Sequence, residues 1–247
     1  MQPVLGTPLL LTDYDALGVR CAEWVKADAP VAVDFTNTHI VTSRRHNPAF
    51  RRTTEAIDYF VPDGMPLVWC LNRLGAGLND RVYGPTFMRQ FLTGEGRNLT
   101  HYLIGGSAEC GERLKAAFPG VKFVGGFHGR CLLDGHLEGK AEFEVRAQLE
   151  QLAPDCIWVG LGTPKQYFWI ERHKALLKRG VVLAVGFAFD VNAGTKKDAP
   201  PWMQRAGLTW LFRLGCEPAR LGPRYLKYSS LFLAYLLREG LRGASLR

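Results

Sequence analysis

The sequence lacks the signals that mark a metal-binding, a secreted or a membrane-spanning protein. Its cysteines form no C-x-x-C pair, and no histidine is placed to complete a zinc site with them. Because cysteines of this kind persist as thiols under reducing conditions, we expect a reducing compartment. Met1 is followed by neither a basic segment nor a long apolar core, so we expect no signal peptide. No apolar run approaches the length of a membrane-spanning helix.

Nucleotide and metal signatures are also weak. Gly105-Gly106-Ser107 can bring backbone N–H groups to a phosphate, but it is not the G-x-G-x-x-G fingerprint of dinucleotide-binding proteins. This counts against a nucleotide-dependent oxidoreductase, which would show cofactor absorbance on purification. The acidic residues are loosely dispersed, which argues against a bound divalent ion. We therefore expect neither a metal nor another cofactor.

The net charge indicates the kind of partner. Lys and Arg number 31 against 23 Asp and Glu, which leaves a formal charge of +8 on 247 residues. Such an excess favours a polyanion: nucleic acid, a phosphorylated substrate or an anionic membrane. The length fits one large domain with or without an appendage.

Alternating apolar strands and amphipathic helices predict the fold class. Strands are predicted at Val31–Phe35, His101–Ile104, Val121–Val124, Cys156–Gly162 and Val181–Val185, and helices at 13–29, from Asn47, at 66–74, 108–118, 137–152 and 163–178. This order indicates an α/β protein with a Rossmann-like, mostly parallel sheet and helices on both faces. Beyond Pro200 the pattern becomes helical and rich in arginine. We expect a body over residues 1–200 and a basic C-terminal helical appendage over 201–247.

Asp63 is the first candidate for chemistry. It stands between Val61-Pro62 and Gly64-Met65-Pro66, where the prolines and the glycine predict a loop that leaves a buried strand. In α/β proteins ligands bind at the carboxyl ends of strands. The competing interpretation is an Asp that only caps the following helix, and on this segment alone the two are about even.

Other loops offer polar groups at predicted strand ends. Asn37 suits sugar hydroxyls or a uracil edge, or else bonds its own backbone, and we favour the first; for the neighbouring His39 we favour a structural role. Gly160–Gln166, which includes Gly162, Lys165 and Gln166, combines glycines, a hydroxyl, a cation and a helix start. It therefore predicts a pyrophosphate site in preference to a tight turn.

Asp190 and Arg81 have open roles. Asp190 follows a buried strand and either binds a sugar hydroxyl or caps the next turn. Arg81 precedes Gly84-Pro85 and either neutralises phosphate or is solvated surface.

The arginine-rich appendage allows two interpretations. Its amphipathic pattern is typical of helices on anionic membranes and equally of a helix packed on its own domain. The many cations favour the membrane. A non-catalytic module that binds nucleic acid is the alternative from another class, but the aromatic residues are not interleaved with the cations as a stacking platform requires.

Taken together, these stretches resemble the WecG/TagA/CpsF family of bacterial glycosyltransferases, family 26. The matching stretches keep the family order between residues 30 and 232 and are Asn37–Val41, Pro62–Trp69, Arg81–Pro85, Val159–Gln166, Val185–Asp190 and Gly207–Leu221. Each motif is loose alone, but their common order is specific.

The resemblance implies a fold of the GT-E type and a metal-independent, inverting hexosyltransferase. Such an enzyme moves a sugar from a UDP-sugar to the 4-hydroxyl of a polyprenyl-diphosphate-linked saccharide, for surface polysaccharide or exopolysaccharide. By this resemblance Asp63 is the general base, and Asn37 and Gln166 line the substrate pocket. Arginines of the appendage complete the site at the inner face of the bacterial plasma membrane, and we name Arg213, Arg220 and Arg224.

Departures from the family pattern concern the substrate. Thr36 directly precedes Asn37, whereas in the family one residue often separates the corresponding Thr and Asn. We therefore assign no role to Thr36. Thr86 and Tyr167 stand where acids are usual, and Asp198 where a basic residue is common. The Pro62 and Arg81 motifs look most like members that work on exopolysaccharide, some of which transfer glucuronic acid in place of N-acetylmannosamine. Whether the chain forms a homo-oligomer is left open.

Overall fold

In the computed structural model, which describes residues 1–241, eight strands form one sheet with helices on both of its faces. The strands are β1 (Gln2–Val4), β2 (Thr7–Leu9), β3 (Val31–Thr36), β4 (Tyr59–Pro62), β5 (Thr100–Gly105), β6 (Lys122–Phe127), β7 (Cys156–Gly160) and β8 (Val181–Ala184). The helices are α1 (Tyr14–Trp24), α2 (Thr38–His46), α3 (Pro48–Thr53), α4 (Met65–Arg73), α5 (Gly84–Thr93), α6 (Ala108–Ala117), α7 (Ala141–Leu152), α8 (Lys165–His173), α9 (Ala188–Asn192), α10 (Pro201–Arg205), α11 (Thr209–Cys216) and α12 (Pro218–Leu241). Short 3-10 helices span Thr54–Ala56 and Lys174–Leu176.

The sheet order is β1-β2-β4-β3-β8-β7-β5-β6, and every pairing except the β1–β2 hairpin is parallel. The α/β fold class predicted from the sequence is thereby confirmed. Parallel strands in such a sheet present their carboxyl ends along one edge, where crossing loops and helix starts meet.

Side chains alternate between two apolar cores, one on each face of the sheet. On β5, Leu103 packs into one core and Ile104 into the other. On β7, Trp158 and Val159 divide in the same way, and both are wholly buried. Because successive strand residues point to opposite faces, strands that are apolar at nearly every position require helices on both sides.

Helix α2 was not predicted, because the sequence indicated a polar loop after β3. Its β-branched and hydroxyl residues have low helix propensity, but Asn37 caps its start and Ile40 and Val41 are buried. Asn47 accepts hydrogen bonds from the N–H groups of Ala49 and Phe50 and so begins α3 directly afterwards. Burial in the tertiary structure and the Asn caps of α2 and α3 therefore outweigh the low helix propensity of this segment.

The appendage packs on the body through α12. Leu221 and Phe232 on one face of α12 are buried, and Tyr228 lies edge-on to His39 at 4.3 Å between ring centroids. Across the α2–α12 contact, Arg45 pairs with Glu239 at 3.3 Å. For the face of α12 that carries Leu221 and Phe232, the interpretation as a helix packed on its own domain is therefore confirmed. Residues 242–247 of the predicted appendage lie outside the described residues.

Within residues 1–241, no helix is both long enough and apolar enough to cross a bilayer.

Gly105 ends β5 where the backbone of the neighbouring strand approaches closely. A Cβ at this position would stand 2.8 Å from the carbonyl carbon of Gly160, and its φ is +105°. We expect Gly105→Ala to lower the free energy of unfolding by about 3 kcal/mol, measured by urea denaturation. Gly139 is the matched control, because it also has positive φ (+66°) but no atom within 4 Å of the added Cβ. Gly139→Ala should cost about 1 kcal/mol, and equal losses would contradict the steric argument.

Candidate active site

A cleft of about 280 Å³ opens at the carboxyl edge of the central strands. Its walls come from the segments that follow β3, β4, β7 and β8, and from α11 and α12. Predicted site residues that line it are Asn37, Asp63, Gly162, Gln166, Asp190, Arg213, Arg220 and Arg224. Arg81 and Lys165 do not belong to its lining.

Asp63 lies directly after β4 and faces the cleft, half-buried. Its N–H donates to the Thr36 carbonyl at 2.8 Å, which anchors the loop to β3. Gly64, not Asp63, occupies the N-cap of α4, and no side chain caps that helix. The interpretation that Asp63 caps α4 is therefore wrong. Its carboxyl group instead receives a backbone hydrogen bond from Gly84, the first residue of α5, and faces the cleft.

Loss of hydration controls the acidity of Asp63. Burial raises the pKa of its carboxyl group to about 7, against the opposing charges of Arg81 and Arg213. A carboxyl group with this pKa is distributed between its acid and base forms near neutral pH. It can therefore accept a proton from a substrate hydroxyl.

Arg81 is buried behind Asp63 instead of being solvated. Its guanidinium donates to the Asp63 carbonyl at 3.3 Å and to the Thr209 hydroxyl at 2.8 Å, and it lies 4.3 Å over the Tyr83 ring. Direct phosphate binding by Arg81 does not fit this placement, because its donors already face protein groups. The residue instead joins the loop of Asp63 to α11.

The Gly160–Gln166 segment reaches the cleft with its glycines but not with its cation. Gly162 adopts a φ of +72° and lines the cleft, and α8 begins after it. The Lys165 ammonium donates to the Cys131 carbonyl at 2.7 Å. This contact turns Lys165 away from the cleft. Of the anion site predicted here, the glycine backbone therefore faces the cleft and the lysine side chain does not.

Asn37 has the structural role that the sequence offered and also faces the cleft. Its Oδ1 accepts from the N–H groups of His39 and Ile40 at 3.1 and 3.4 Å, which caps α2. The same residue lines the cleft. His39 also lines it, and burial followed by the charge of Arg224 lowers the pKa of its imidazole to about 3. We infer that His39 is neutral and packs on Tyr228.

Asp34 is a functional candidate that the sequence did not reveal. It is wholly buried on β3, and its carboxylate accepts hydrogen bonds from Thr36, Tyr167 and Gln166. Burial raises the pKa of Asp34 to about 6. The available signal was a single acid inside an apolar strand, which buried strands seldom carry without partners.

Lys196 is a second residue that sequence reasoning missed. It lines the cleft, donates to Glu217 at 2.8 Å and stands 3.8 Å from the carboxylate of Asp190. Asp190 itself lies in the short helix α9, where a loop was predicted, and accepts a hydrogen bond from the Thr195 hydroxyl at 3.2 Å.

The arginines of the appendage close one side of the cleft. Arg213 stacks over the Phe187 ring at 4.0 Å, and Arg220 pairs with Glu217. Arg224 is half-buried, its Nε has no partner among the described residues, and burial lowers the pKa of its guanidinium. With Lys196 these side chains give the cleft an excess of positive charge over Asp63 and Asp190. Such a site suits a diphosphate.

The described residues contain no group of His, Cys, Asp and Glu side chains placed to hold a metal ion. Asp13 and Asp15 form a D-x-D sequence, but Asp13 caps α1 through the N–H of Ala16, and neither residue lines the cleft. The two carboxyl groups that do line the cleft come from separate segments, Asp63 from the loop after β4 and Asp190 from α9.

Comparison with known proteins points to one chemistry. The model of the Glycosyl transferase WecG/TagA/CpsF family matches residues 2–246. An N-acetylglucosaminyldiphosphoundecaprenol N-acetyl-beta-D-mannosaminyltransferase from Bacillus spizizenii is 30% identical over 189 residues, which is 74% of this chain and 70% of the relative. A protein of the same name from Staphylococcus aureus (strain MRSA252) is 29% identical over 193 residues, or 75% of this chain and 72% of the relative.

The raised pKa of Asp63 has a consequence for stability. A carboxyl group whose pKa is higher in the folded than in the unfolded state makes folding less favourable as pH rises from about 4 to about 7. We expect Asp63→Asn to increase the free energy of unfolding by about 2 kcal/mol at pH 8 and by much less at pH 4.5. Urea denaturation at the two pH values measures this difference. An equal effect at both would show that Asp63 titrates as a solvated carboxyl group does.

Proposed function

The chain belongs to the WecG/TagA/CpsF family of glycosyltransferases, and from that premise we propose which sugar transfer it performs. It moves a sugar from a UDP-sugar to the 4-hydroxyl of a polyprenyl-diphosphate-linked saccharide, with inversion and without a metal, in surface polysaccharide or exopolysaccharide synthesis. The observation that carries this proposal is a carboxyl group of pKa about 7, Asp63, in a cleft lined by Arg213, Arg220 and Arg224. Family membership makes an oxidoreductase or a nucleic-acid module an unsupported alternative.

In the proposed step the carboxylate of Asp63 takes the proton of the acceptor hydroxyl. The hydroxyl oxygen then forms a bond to the anomeric carbon while the bond from that carbon to the UDP oxygen breaks. UDP leaves with the electron pair, and attack opposite the leaving group inverts the anomeric centre. A base is most effective when its pKa lies near the working pH, which the burial of Asp63 provides.

Negative charge develops on the departing diphosphate and needs stabilisation. The guanidinium groups of Arg213, Arg220 and Arg224, with Lys196, supply donors of fixed positive charge on that side of the cleft. Preorganised charges of this kind stabilise a leaving group without a metal. The backbone at Gly162, just before the start of α8, also lines the cleft.

The donor sugar has two candidates with different support. The names of the relatives support UDP-N-acetylmannosamine and an acceptor of N-acetylglucosaminyldiphosphoundecaprenol type. The Pro62 and Arg81 motifs resemble members that use UDP-glucuronic acid in exopolysaccharide synthesis. Lys196 offers a cation for a uronic carboxylate, but Glu217 and Asp190 already surround it. Because these carboxylates already offset the charge of Lys196, and because of the names of the relatives, we favour the neutral N-acetylmannosamine.

We also propose that the appendage docks the chain on the inner, anionic face of the plasma membrane. Opposite the face of α12 that packs on α2, Leu226, Leu233 and Leu237 are 75%, 59% and 68% exposed. Lys227 and Arg238 are exposed beside them. A stripe of leucines flanked by cations is typical of helices that lie in the interface of an anionic bilayer. Docking here would bring the cleft to a lipid-linked acceptor.

A donor screen tests the reaction. Wild-type protein is incubated with individual UDP-sugars and N-acetylglucosamine-diphosphate-polyprenol, and the products are identified by mass. We expect addition of one N-acetylmannosamine, with kcat/KM rising with pH to a plateau above about pH 7. Asp63→Asn should lower kcat at least a hundredfold.

Asp190→Asn is the matched control, because it removes the other carboxyl group of the cleft lining. This variant should change the KM for the donor but keep the shape of the pH profile. If Asp63→Asn retains full activity while folded, Asp63 is not the base. If no UDP-sugar is transferred, the proposed reaction is wrong.

Substitution of the exposed leucine stripe tests membrane docking. The variant carrying Leu226→Ser, Leu233→Ser and Leu237→Ser should fold normally, because these side chains are exposed in the folded chain. We expect its partitioning onto vesicles with anionic lipid to fall at least tenfold in a sedimentation assay. Leu133→Ser is the control, since Leu133 is 71% exposed outside the appendage. Undiminished vesicle binding by the triple variant would overturn the docking proposal.

A further inference from the structure

Asp34 stands out because its carboxylate is buried without an ion pair, although the charge of Arg44 partly opposes the rise of its pKa. It lies on the inner strand β3, with no exposed side-chain surface, and forms no ion pair among the described residues. A carboxylate removed from water costs several kcal/mol unless hydrogen bonds replace its hydration. The groups that replace it therefore show what the residue does.

All of the side-chain donors to Asp34 are neutral, and two of them come from the first turn of α8. The Tyr167 hydroxyl donates to Oδ1 at 3.0 Å and Gln166 Nε2 to the same oxygen at 3.4 Å, while the Thr36 hydroxyl donates to Oδ2. A side-chain amide that donates through its nitrogen must turn its carbonyl oxygen the other way. Asp34 thus determines which end of the Gln166 amide faces inward.

The carbonyl end of Gln166 is left without a partner. Its Oε1 is buried and accepts no hydrogen bond from the described residues. A Cβ added to Gly186 would stand 3.4 Å from this oxygen and 4.0 Å from Gly162, and all three residues line the cleft. An unpaired buried carbonyl oxygen costs about 1–3 kcal/mol. A ligand that brings a donor to this wall would remove that cost.

We propose that Asp34 is a positioning residue that holds the Gln166 amide with Nε2 inward, so that Oε1 accepts a hydrogen bond from the bound sugar nucleotide. The matching group of the ligand is a donor, either a hydroxyl or an N–H. A reversed amide would select an acceptor in its place. The identity of the ligand rests on the proposed function, whereas the orientation of the amide does not.

A purely structural role makes a different prediction. If Asp34 only ties α8 to the sheet, the bond from Tyr167 serves that purpose as well as the bond from Gln166. Loss of Asp34 would then weaken activity by the same factor whether or not Gln166 is present. Coupled residues instead give non-additive effects.

The kinetic test is a double-mutant cycle of Asp34→Ala and Gln166→Ala, with transfer from the preferred UDP-sugar as the readout. Ala removes both acceptor oxygens of Asp34, whereas the amide oxygen of an Asn could replace the Oδ1 that accepts from both Tyr167 and Gln166. We expect each single variant to lower kcat/KM about tenfold, and the double variant to be no worse than Gln166→Ala. Tyr167→Phe, which leaves the bond between Asp34 and Gln166 intact, should stay within about threefold of wild type. Equal losses from Asp34→Ala in both backgrounds, or none, would overturn the proposal.

A measurement without substrate separates this inference from the proposed reaction. The side-chain amide signals of Gln166, identified in ¹⁵N NMR spectra by their absence in Gln166→Ala, should shift in Asp34→Ala and stay close to wild type in Tyr167→Phe. Unchanged signals in Asp34→Ala would refute the positioning role. Should the wild type transfer no sugar while the shift is found, the proposed function fails and the role of Asp34 stands.

Discussion

Loss of hydration at the carboxyl ends of β3 and β4 is the constraint around which the rest of the site is arranged. Asp34 lies on β3 and Asp63 directly follows the neighbouring strand β4, and burial raises the pKa of both carboxyl groups. The charge of Asp34 raises the pKa of Asp63 further. Such an arrangement persists only where hydrogen bonds and cations offset part of the cost. Thr36, Tyr167 and Gln166 do so for Asp34, and Arg81 and Arg213 for Asp63.

The cations that act on Asp63 come from two parts of the chain. Arg81 belongs to the body and donates to Thr209 at the start of α11, whereas Arg213 is carried by α11 itself. The protonation of Asp63 therefore depends on the placement of the appendage. The appendage forms part of the cleft wall, because Arg213, Arg220 and Arg224 all belong to its lining.

Helix α12 connects this site to the surface that we assign to the membrane. Its buried face packs on α2, the helix that Asn37 caps, and places Arg224 and Tyr228 near His39. Its other face carries the exposed leucine stripe. Packing on the body and docking on a membrane were posed as alternatives for the appendage. One helix can do both, because residues three and four positions apart share a face and the other residues point away from it.

Local patterns predicted much of the fold. Apolar runs predicted the inner strands, and Pro62-Asp63-Gly64 predicted an acidic residue in a loop at the end of a strand. Both features were predictable because their signals depend on residues adjacent in sequence. Helix α2 was missed because burial against the sheet and α12 outweighed its weak propensity. Lys165 was wrongly assigned to the cleft. Its side chain contacts Cys131, 34 positions away, and the local sequence gives no sign of that contact. Lys196 was missed for the same reason, since Glu217 and Asp190 define its place.

The sequence by itself determined the α/β class, the loop that holds Asp63 and the basic character of the appendage, because periodicity, proline and charge act over short stretches. The tertiary structure alone decided which cations reach the cleft, that Arg81 lies behind Asp63, and that Asp34 holds Gln166 across 132 positions of chain. Burial and long-range hydrogen bonds set these features. Both arise only when distant segments meet at the edge of the sheet.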